Sequence, residues 1–198
     1  AEGRVRYLGE PVALIVGAPE VVEPLDLSDF PVSWQPLDHT LTEGEGAAED
    51  APQLHDHRPG NTLIRGRVVS GAAEEGIAGA EHVARGRFET SYVEHAYIEP
   101  EAGIAWLDGD TLVIQACTQA PVLDRDETAK VLGLAPDKVR IIPAAAGGGF
   151  GAKLDLSVQP LIGLATLATG QPCRMLSLRD ETMRHGCPVA RVASTSSG

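Results

Sequence analysis

The feature that most constrains the fold is a glycine-rich stretch, Gly147-Gly-Gly-Phe-Gly151, which follows the β-rich run Lys138-Val-Arg-Ile-Ile142. Glycine has no Cβ and readily adopts positive φ, so four glycines in five positions indicate a backbone that lies against another group. A helix is expected next, with Asp155 or Ser157 as its N-cap and residues 158–168 as its body. A strand, a glycine turn and a helix start together favour an anion site, because free N–H groups point at the turn.

Two common phosphate motifs fit this stretch poorly. A P-loop requires Ser or Thr after its lysine, whereas Leu154 follows Lys153. The spacing Gly147-x-Gly149-x-x-Ala152 loosely matches the dinucleotide fingerprint, but we find no acidic residue at the end of a second strand. A dinucleotide site on an unrelated fold therefore stays an alternative, as does a tight turn whose glycines serve packing.

Charge and cysteine content exclude several classes of function. A net charge of −12 argues against a nucleic-acid partner and against an anionic membrane surface. No apolar run approaches the ~20 residues that cross a bilayer. The three cysteines lie far apart, which does not indicate an iron–sulfur or zinc site and fits a reducing compartment. The first residue is Ala and no signal peptide is visible, so we interpret the 198 residues as a piece of a longer chain with one or two domains.

The pattern of strands and helices favours the α+β class, because no regular βαβ repeat is visible. In the first part we expect strands within residues 4–16 and 32–35, a short helix between Pro19 and Pro24, and a solvated loop over residues 42–50. We interpret His55-Asp-His57 as an exposed linker rather than a metal site, because a turn follows it and no further ligand is near.

The second part carries stronger local signals. Asp108-Gly109 predicts a hairpin, and a helix is expected between Pro121, in its first turn, and Gly133, at its end. The remaining predicted elements are strands over residues 81–92, 137–142 and 172–178, a helix ending at Gly170, and a short helix from Arg179.

Several segments occur in one order that resembles a known family. They are Glu94-His-Ala-Tyr-Ile-Glu-Pro-Glu101, Thr118-Gln119 before a helix, and Gly147-Gly-Gly-Phe-Gly-Ala-Lys153. Together they resemble the molybdopterin-binding subunit of the xanthine dehydrogenase and aldehyde oxidase family of molybdenum hydroxylases. The resemblance implies the later part of an α/β-hammerhead domain in residues 1–50, a linker over 51–75, and the first part of a molybdenum-cofactor-binding domain in 76–198.

The same resemblance implies roles for individual residues. Gln119 would donate a hydrogen bond to an oxygen on the molybdenum, and backbone amides near Phe150 and Gly151 would contact the cofactor, with Gly148 and Gly149 beside them. Phe150 and Leu154 would line the substrate funnel. Leu154 stands where purine-hydroxylating members carry a glutamate, which disfavours a purine substrate.

No catalytic residue and no direct metal ligand is assigned in this chain. The family's general-base glutamate is expected downstream, and Asp155 is interpreted as a helix cap rather than a base. Glu94, His95 and Glu99 are interpreted as a buried hydrogen-bond network, because the family holds its metal through dithiolene sulfurs.

The implied enzyme hydroxylates an aldehyde or an N-heterocycle with oxygen from water. Its cofactor is molybdenum–molybdopterin, with the cytosine dinucleotide form as one option, and [2Fe-2S] clusters and FAD reside on other domains or subunits. Expected partners are those iron–sulfur and flavin parts, the rest of the molybdenum subunit and a second copy, in the cytoplasm or the periplasm. The isolated chain is expected to be inactive, and a non-catalytic scaffolding subunit of such a complex is the alternative.

Overall fold

The computed structural model of the chain describes residues 3–7, 9–91, 93–185 and 193–197. Contacts divide the chain into two units, one formed by Ala1–Ala18 with Phe88–Ser194 and the other by Pro19–Arg87 with Thr195–Gly198. No helix in the described ranges has both the length and the apolar character needed to cross a membrane.

The larger unit contains a four-stranded sheet. The strands of the chain are β1 (Arg85–Glu89), β2 (Ala102–Asp108), β3 (Thr111–Ala116), β4 (Val139–Pro143), β5 (Cys173–Leu176) and β6 (Ala193–Ser197). The sheet has the order β4-β3-β2-β5, while β1 and β6 form a separate two-stranded sheet. Strand β2 is antiparallel to β3 and to β5, whereas β3 and β4 are parallel. The parallel pair needs a crossover connection, which a helix provides.

Two helices cover this sheet. The helices of the chain are α1 (Pro19–Val22), α2 (Glu43–Gly46), α3 (Ala73–Ala78), α4 (Pro121–Leu132), α5 (Gln159–Thr169) and α6 (Arg179–His185). Helix α4 is the crossover and packs on β4, and α5 packs on β2, β3 and β5 and against α4. Their shared core contains six buried side chains, which are Ala105, Leu112, Ile114, Ala116, Val158 and Ile162. This core holds the ends of the strands in fixed positions.

Several local predictions are confirmed. The β2–β3 hairpin turns at Gly109, whose φ is 63°. Helix α4 has Pro121 in its first turn and Gly133 at its C-terminus with φ 69°, where the left-handed backbone favours glycine. Gly170 ends α5 in the same way, with φ 66°. The coarse prediction of mixed helices and strands is also confirmed, and the structure shows that the larger unit contains a small sheet of four strands.

Three strand predictions are wrong in extent or existence. No strand is formed over the described residues of 4–16 or over 32–35, and Leu8 lies outside the described residues. The long strand predicted for 81–92 shortens to β1, with Tyr92 outside the described residues. The apolar run Val12–Val16 has no regular secondary structure, no described segment pairs with it, and Val12 is 48% exposed. An apolar run becomes a strand only where another strand accepts its backbone hydrogen bonds.

The predicted N-cap of the second helix is also wrong. Helix α5 begins after Val158, which makes no side-chain cap, and has Pro160 in its first turn. Ser157 instead donates its hydroxyl to Glu101, and Asp155 is exposed. Because proline has no N–H, one of the groups that a cap would satisfy is absent from this helix start.

Candidate cofactor site at the ends of two parallel strands

The candidate site lies where β3 and β4 end. These strands are parallel neighbours, so their carboxyl ends face the same edge of the sheet. Residues 117–120 leave from β3, and the glycine loop, residues 147–151, follows β4. The amide of Ala144 still bonds the carbonyl oxygen of Ala116 at 3.0 Å, which keeps the two connections side by side. Open α/β sheets generally bind ligands at such an edge.

Gln119 contacts the glycine loop through both its backbone and its side chain. Its backbone N–H donates to the carbonyl oxygen of Lys153 at 2.9 Å. Its side-chain Oε1 accepts from the amide of Gly151 at 3.0 Å and from the amide of Lys153 at 3.3 Å. Two N–H donors fix this atom as the oxygen, so the NH₂ group is the end that stays available. Gln119 is exposed, and its Nε2 donates to no acceptor within the described residues.

The glycines of the loop are required first by contacts within the chain. A Cβ on Gly149 would lie 2.6 Å from Gln119 Oε1, and a Cβ on Gly147 would lie 2.6 Å from Glu99 Cβ. Gly148 has φ 109°, and a Cβ there would lie 3.0 Å from that of Tyr97. From the sequence we expected the bare backbone to face another molecule, whereas one side of it faces these three side chains.

Phe150 is a largely exposed side chain of the loop. It has φ 54°, an uncommon value for a bulky residue, and it is 75% exposed. Gly151 follows with φ 99°, and Leu154 ends a short 3-10 helix with 45% of its surface exposed. The structure thus exposes an aromatic and an aliphatic side chain next in sequence to Gly151 and Lys153, whose amides bond Gln119, and the aromatic one stands on left-handed backbone.

An ion pair between a buried lysine and a partly exposed glutamate supports the loop. Lys153 Nζ donates to Glu99 Oε2 at 2.8 Å, and the lysine side chain is only 1% exposed. The same carboxylate oxygen accepts the amide of Gly147 at 2.8 Å. Lys153 Nζ also lies 4.6 Å from the ring centroid of Tyr97, within cation–π range. A buried charge is tolerated only where such partners surround it.

These contacts shift the protonation of the groups involved. Burial alone would raise the pKa of Glu99, but hydrogen bonds from Cys117, Lys153 and Gly147 lower it to about 2. Burial is the largest influence on Lys153 and lowers its pKa, but the hydrogen bonds to Glu99 and Cys117 and the nearby charge of Glu101 together outweigh burial, so the lysine pKa is raised. Burial and the hydrogen bond to Glu99 raise the pKa of the Cys117 thiol. The cluster is therefore an ion pair with a protonated thiol at neutral pH.

A second network fixes the segment that carries Glu99. Tyr97 donates its hydroxyl to Glu101 Oε1 at 2.5 Å, and Ser157 donates to the other oxygen of Glu101. Arg179 donates to the carbonyl oxygens of Tyr97 and Ile98. Burial, followed by the bond to Glu101, raises the pKa of Tyr97 well above its usual range, so the phenol stays a donor.

Only one member of the predicted Glu94, His95 and Glu99 network behaves as expected. Glu99 Oε2 accepts from Gly147 and Lys153, whereas both carboxylate oxygens of Glu94 and Nδ1 of His95 are buried without a partner in the described structure. His95 Nε2 lies 3.8 Å from the place that a Cβ on Gly151 would occupy. Glu94 and His95 precede Ala96, whose φ of 51° turns the chain between them and Tyr97.

The remaining histidines and cysteines considered from the sequence give no evidence of a metal or catalytic site in the described residues. The rings of His55 and His57 are 5.7 Å apart and both residues are exposed. No group of three or more His, Cys, Asp or Glu side chains that could hold a metal ion is found where the structure describes side chains. Cys173 is a half-buried free thiol, and Cys187 lies outside the described residues.

Sequence reasoning missed the role of Lys153 and the engagement of Glu101. The two members of the ion pair are 54 positions apart, and no local pattern connects them. A lysine placed inside a glycine-rich, apolar stretch was the one available signal, because such a lysine needs an acidic partner when it is buried.

Comparison with known proteins identifies the family of the chain. Residues 54–189 match the molybdopterin cofactor-binding domain family. The chain is 33% identical over 185 residues to the nicotinate dehydrogenase large molybdopterin subunit of Eubacterium barkeri, which covers 91% of this chain and 42% of that protein. It is 30% identical over 186 residues to a probable xanthine dehydrogenase subunit of Bacillus subtilis, covering 93% of this chain and 25% of that protein.

A solved structure shows the same fold. The aldehyde oxidoreductase from Desulfovibrio gigas superimposes with a TM-score of 0.68 at 26% identity, over 74% of this chain and 16% of that one. The chain spans less than half the length of each of these three relatives. It belongs to the molybdopterin cofactor-binding domain family, and its relatives are the molybdopterin-binding subunits of xanthine dehydrogenases and aldehyde oxidoreductases.

Proposed function

We propose that this chain supplies one wall of a molybdopterin site in a molybdenum hydroxylase. The observation that carries the proposal is the fixed amide of Gln119. Its carbonyl oxygen is held by two loop amides, which leaves its NH₂ group as an outward hydrogen-bond donor next to the glycine loop. A neutral donor of this kind suits an oxygen on a metal, because it adds no charge.

The donors present fit the proposed group. The backbone N–H groups of Gly148, Gly149 and Phe150 donate to no acceptor among the described residues. With Gln119 Nε2 they make a set of neutral donors beside one another, which is suited to oxo and phosphate oxygens. These are the groups that a molybdopterin presents.

The residues of the chain would bind and orient rather than perform the chemistry. When bound, the cofactor supplies oxygen transfer to an electron-poor carbon and accepts the electrons. Gln119 would donate to a cofactor oxygen, while the exposed ring of Phe150 and the methyl groups of Leu154 would exclude water and limit the shape of the substrate. Since no base is assigned in these residues, we place the general base in another segment of the enzyme.

The proposed substrate class rests on the apolar side chains of Phe150 and Leu154 and on the substrates for which two relatives are named. Phe150 and Leu154 offer an apolar surface without a charged group, which suits an aldehyde or an N-heterocycle. Relatives named for nicotinate and for aldehydes support the same two classes. Electron transfer would run to [2Fe-2S] clusters and FAD on partner domains or subunits, with the cofactor in the plain or the cytosine dinucleotide form.

The domain assignment also stays a proposal. We infer that residues 1–50 are the later part of an α/β-hammerhead domain and that 51–75 link it to a cofactor-binding part in 76–198.

A scaffolding role is the second candidate function, and one observation favours it. Although single atoms of Glu94 and His95 are buried, no described residue before Tyr97 is buried as a whole, which leaves exposed apolar side chains that other protein could cover.

Cofactor content tests the proposal. The chain is produced in a host that makes molybdopterin, alone and within the longer protein, and pterin is measured by fluorescence after oxidative release. We expect Gln119→Ala to lower pterin content at least several-fold, whereas Gln115→Ala, an exposed glutamine on β3, serves as the matched control and changes nothing. Equal pterin content in both variants would refute the proposal, and pterin-free protein that still joins the complex would favour the scaffold.

A further inference from the structure

We propose that Glu99 is a positioning residue for Gln119, acting through Lys153 and the glycine loop. Its meaning for cofactor binding rests on the function proposed above, but the positioning itself can be measured on the chain without cofactor.

The first step is the way in which Glu99 holds both ends of the loop. One oxygen, Oε2, accepts the amide of Gly147 and the ammonium of Lys153, each at 2.8 Å. The backbone N–H of Glu99 also donates to the carbonyl oxygen of Gly147 at 3.3 Å. The loop from 147 to 153 is therefore closed into a ring by a single side chain.

The second step connects that ring to Gln119. The carbonyl oxygen of Lys153 accepts the backbone N–H of Gln119 at 2.9 Å, and the N–H of Lys153 donates to Gln119 Oε1 at 3.3 Å. Lys153 thus bonds Glu99 through its side chain and Gln119 through its backbone. Displacing the lysine removes one of the two donors that orient the amide of Gln119.

The third step is the environment of the pair. The lysine side chain is 1% exposed and that of Glu99 is 29% exposed. A partly desolvated, charge-assisted bond is shorter and stronger than a neutral one, and it keeps its geometry where a surface pair would not. The pair is suited to hold one loop conformation rather than to add surface charge.

Hydrogen exchange and NMR of the isotopically labelled 198-residue chain test this inference. In Glu99→Gln we expect the amides of Gly151 and Lys153 to exchange at least tenfold faster, and the two side-chain NH₂ resonances of Gln119 to move toward those of a freely rotating amide. Amides in the β2–β3 hairpin should exchange at the wild-type rate. The matched control is Glu127→Gln, which breaks an exposed pair with Lys130 and should leave all of these signals unchanged.

A double variant separates positioning from general stability. Glu99→Gln with Lys153→Met leaves no unpaired buried charge, so its melting temperature should recover toward wild type. We expect fast exchange at Gly151 and Lys153 to persist in it. Recovery of slow exchange together with the melting temperature would overturn the inference, as would wild-type exchange in Glu99→Gln.

The outcome is independent of the cofactor result. Fast exchange at Gly151 and Lys153 in Glu99→Gln, in a chain that never binds pterin, would support the positioning and refute the proposed function. Pterin binding by a chain in which Glu99→Gln leaves exchange and the Gln119 NH₂ resonances at their wild-type values would support the function and overturn the positioning.

Discussion

The substitution Gly149→Ala tests the close approach of the loop to Gln119. The added Cβ would lie 2.6 Å from Oε1 and 2.9 Å from Cδ of that glutamine. Non-bonded heavy atoms rest roughly 3.5 Å apart, so either the amide or the loop must move by about 1 Å. Gly149 does not have positive φ, so the effect reports the contact and not backbone strain.

The cost follows from the bonds that this movement breaks. The bonds from Gly151 and Lys153 to Oε1 are 3.0 and 3.3 Å long, and a shift of this size takes both beyond hydrogen-bond range. Each is worth about 1 kcal/mol, so we expect the free energy of unfolding to fall by about 2 kcal/mol. For a chain of this size that lowers the melting temperature by about 4–8 °C.

Urea denaturation and thermal unfolding measure the change. Gly66→Ala is the control, because a Cβ there meets nothing within 4 Å and its φ is not positive. The reasoning is refuted if Gly149→Ala unfolds within about 0.5 kcal/mol of wild type, the range of neutral surface changes, while the Gln119 NH₂ resonances keep their positions.

Three further predictions test the supports of the site. The pKa of Glu99 is 4.5 ordinarily and about 2 here, so its ionised form stabilises the fold fully above pH 4.5, and this stabilisation is lost as the pH falls toward 2. After allowance for partial exposure we expect a contribution of about 2 kcal/mol to the free energy of unfolding. The measurement is urea unfolding of wild type and Glu99→Gln as a function of pH, and parallel stability curves would contradict the prediction. Gly103→Ala places a Cβ 2.9 Å from Ile162 Cδ1 and 3.2 Å from Ala116 Cβ. We expect this overpacking to lower the free energy of unfolding by about 1–3 kcal/mol in the same assay. An unchanged urea midpoint would show that α5 moves aside to accommodate the methyl group. Phe150→Gly removes an exposed ring from left-handed backbone and should raise the free energy of unfolding by about 1 kcal/mol. In the enzyme with cofactor bound, the same substitution should weaken substrate binding. A lower free energy of unfolding would show that the ring packs against other residues of the chain.

The second half of the chain could be predicted from its sequence because its signals are local. Proline at the start of α4, glycine at its end and glycine at 109 in the hairpin each specify backbone geometry within a few residues. The approach of Gln119 to the glycine loop also agrees with the expectation drawn from the motifs, although the roles of these residues remain proposals.

The parts that could not be predicted depend on distant partners. The pairing of Glu99 with Lys153 is set by how β3 and β4 place their loops, and neither residue's neighbours indicate it. The run Val12–Val16 has the composition of a buried strand, yet strand formation depends on a neighbour that the described residues do not provide. The predicted N-cap of α5 is wrong because the Ser157 hydroxyl is oriented by its donation to Glu101 and the first turn of the helix contains Pro160, which has no N–H for a cap to accept.

The parallel arrangement of β3 and β4 has a consequence for how this scaffold can diversify. The separation between Gln119 and the glycine loop is set by adjacent strands, about 4.8 Å apart, and the length of the α4 connection does not enter. Changes in the outer surface of that helix, or at the tip formed by Phe150 and Leu154, can therefore accumulate without moving the amide. Under the function proposed above, cofactor anchoring and substrate recognition fall to separate parts of the chain, so the range of substrates can change while the contact with the cofactor stays the same.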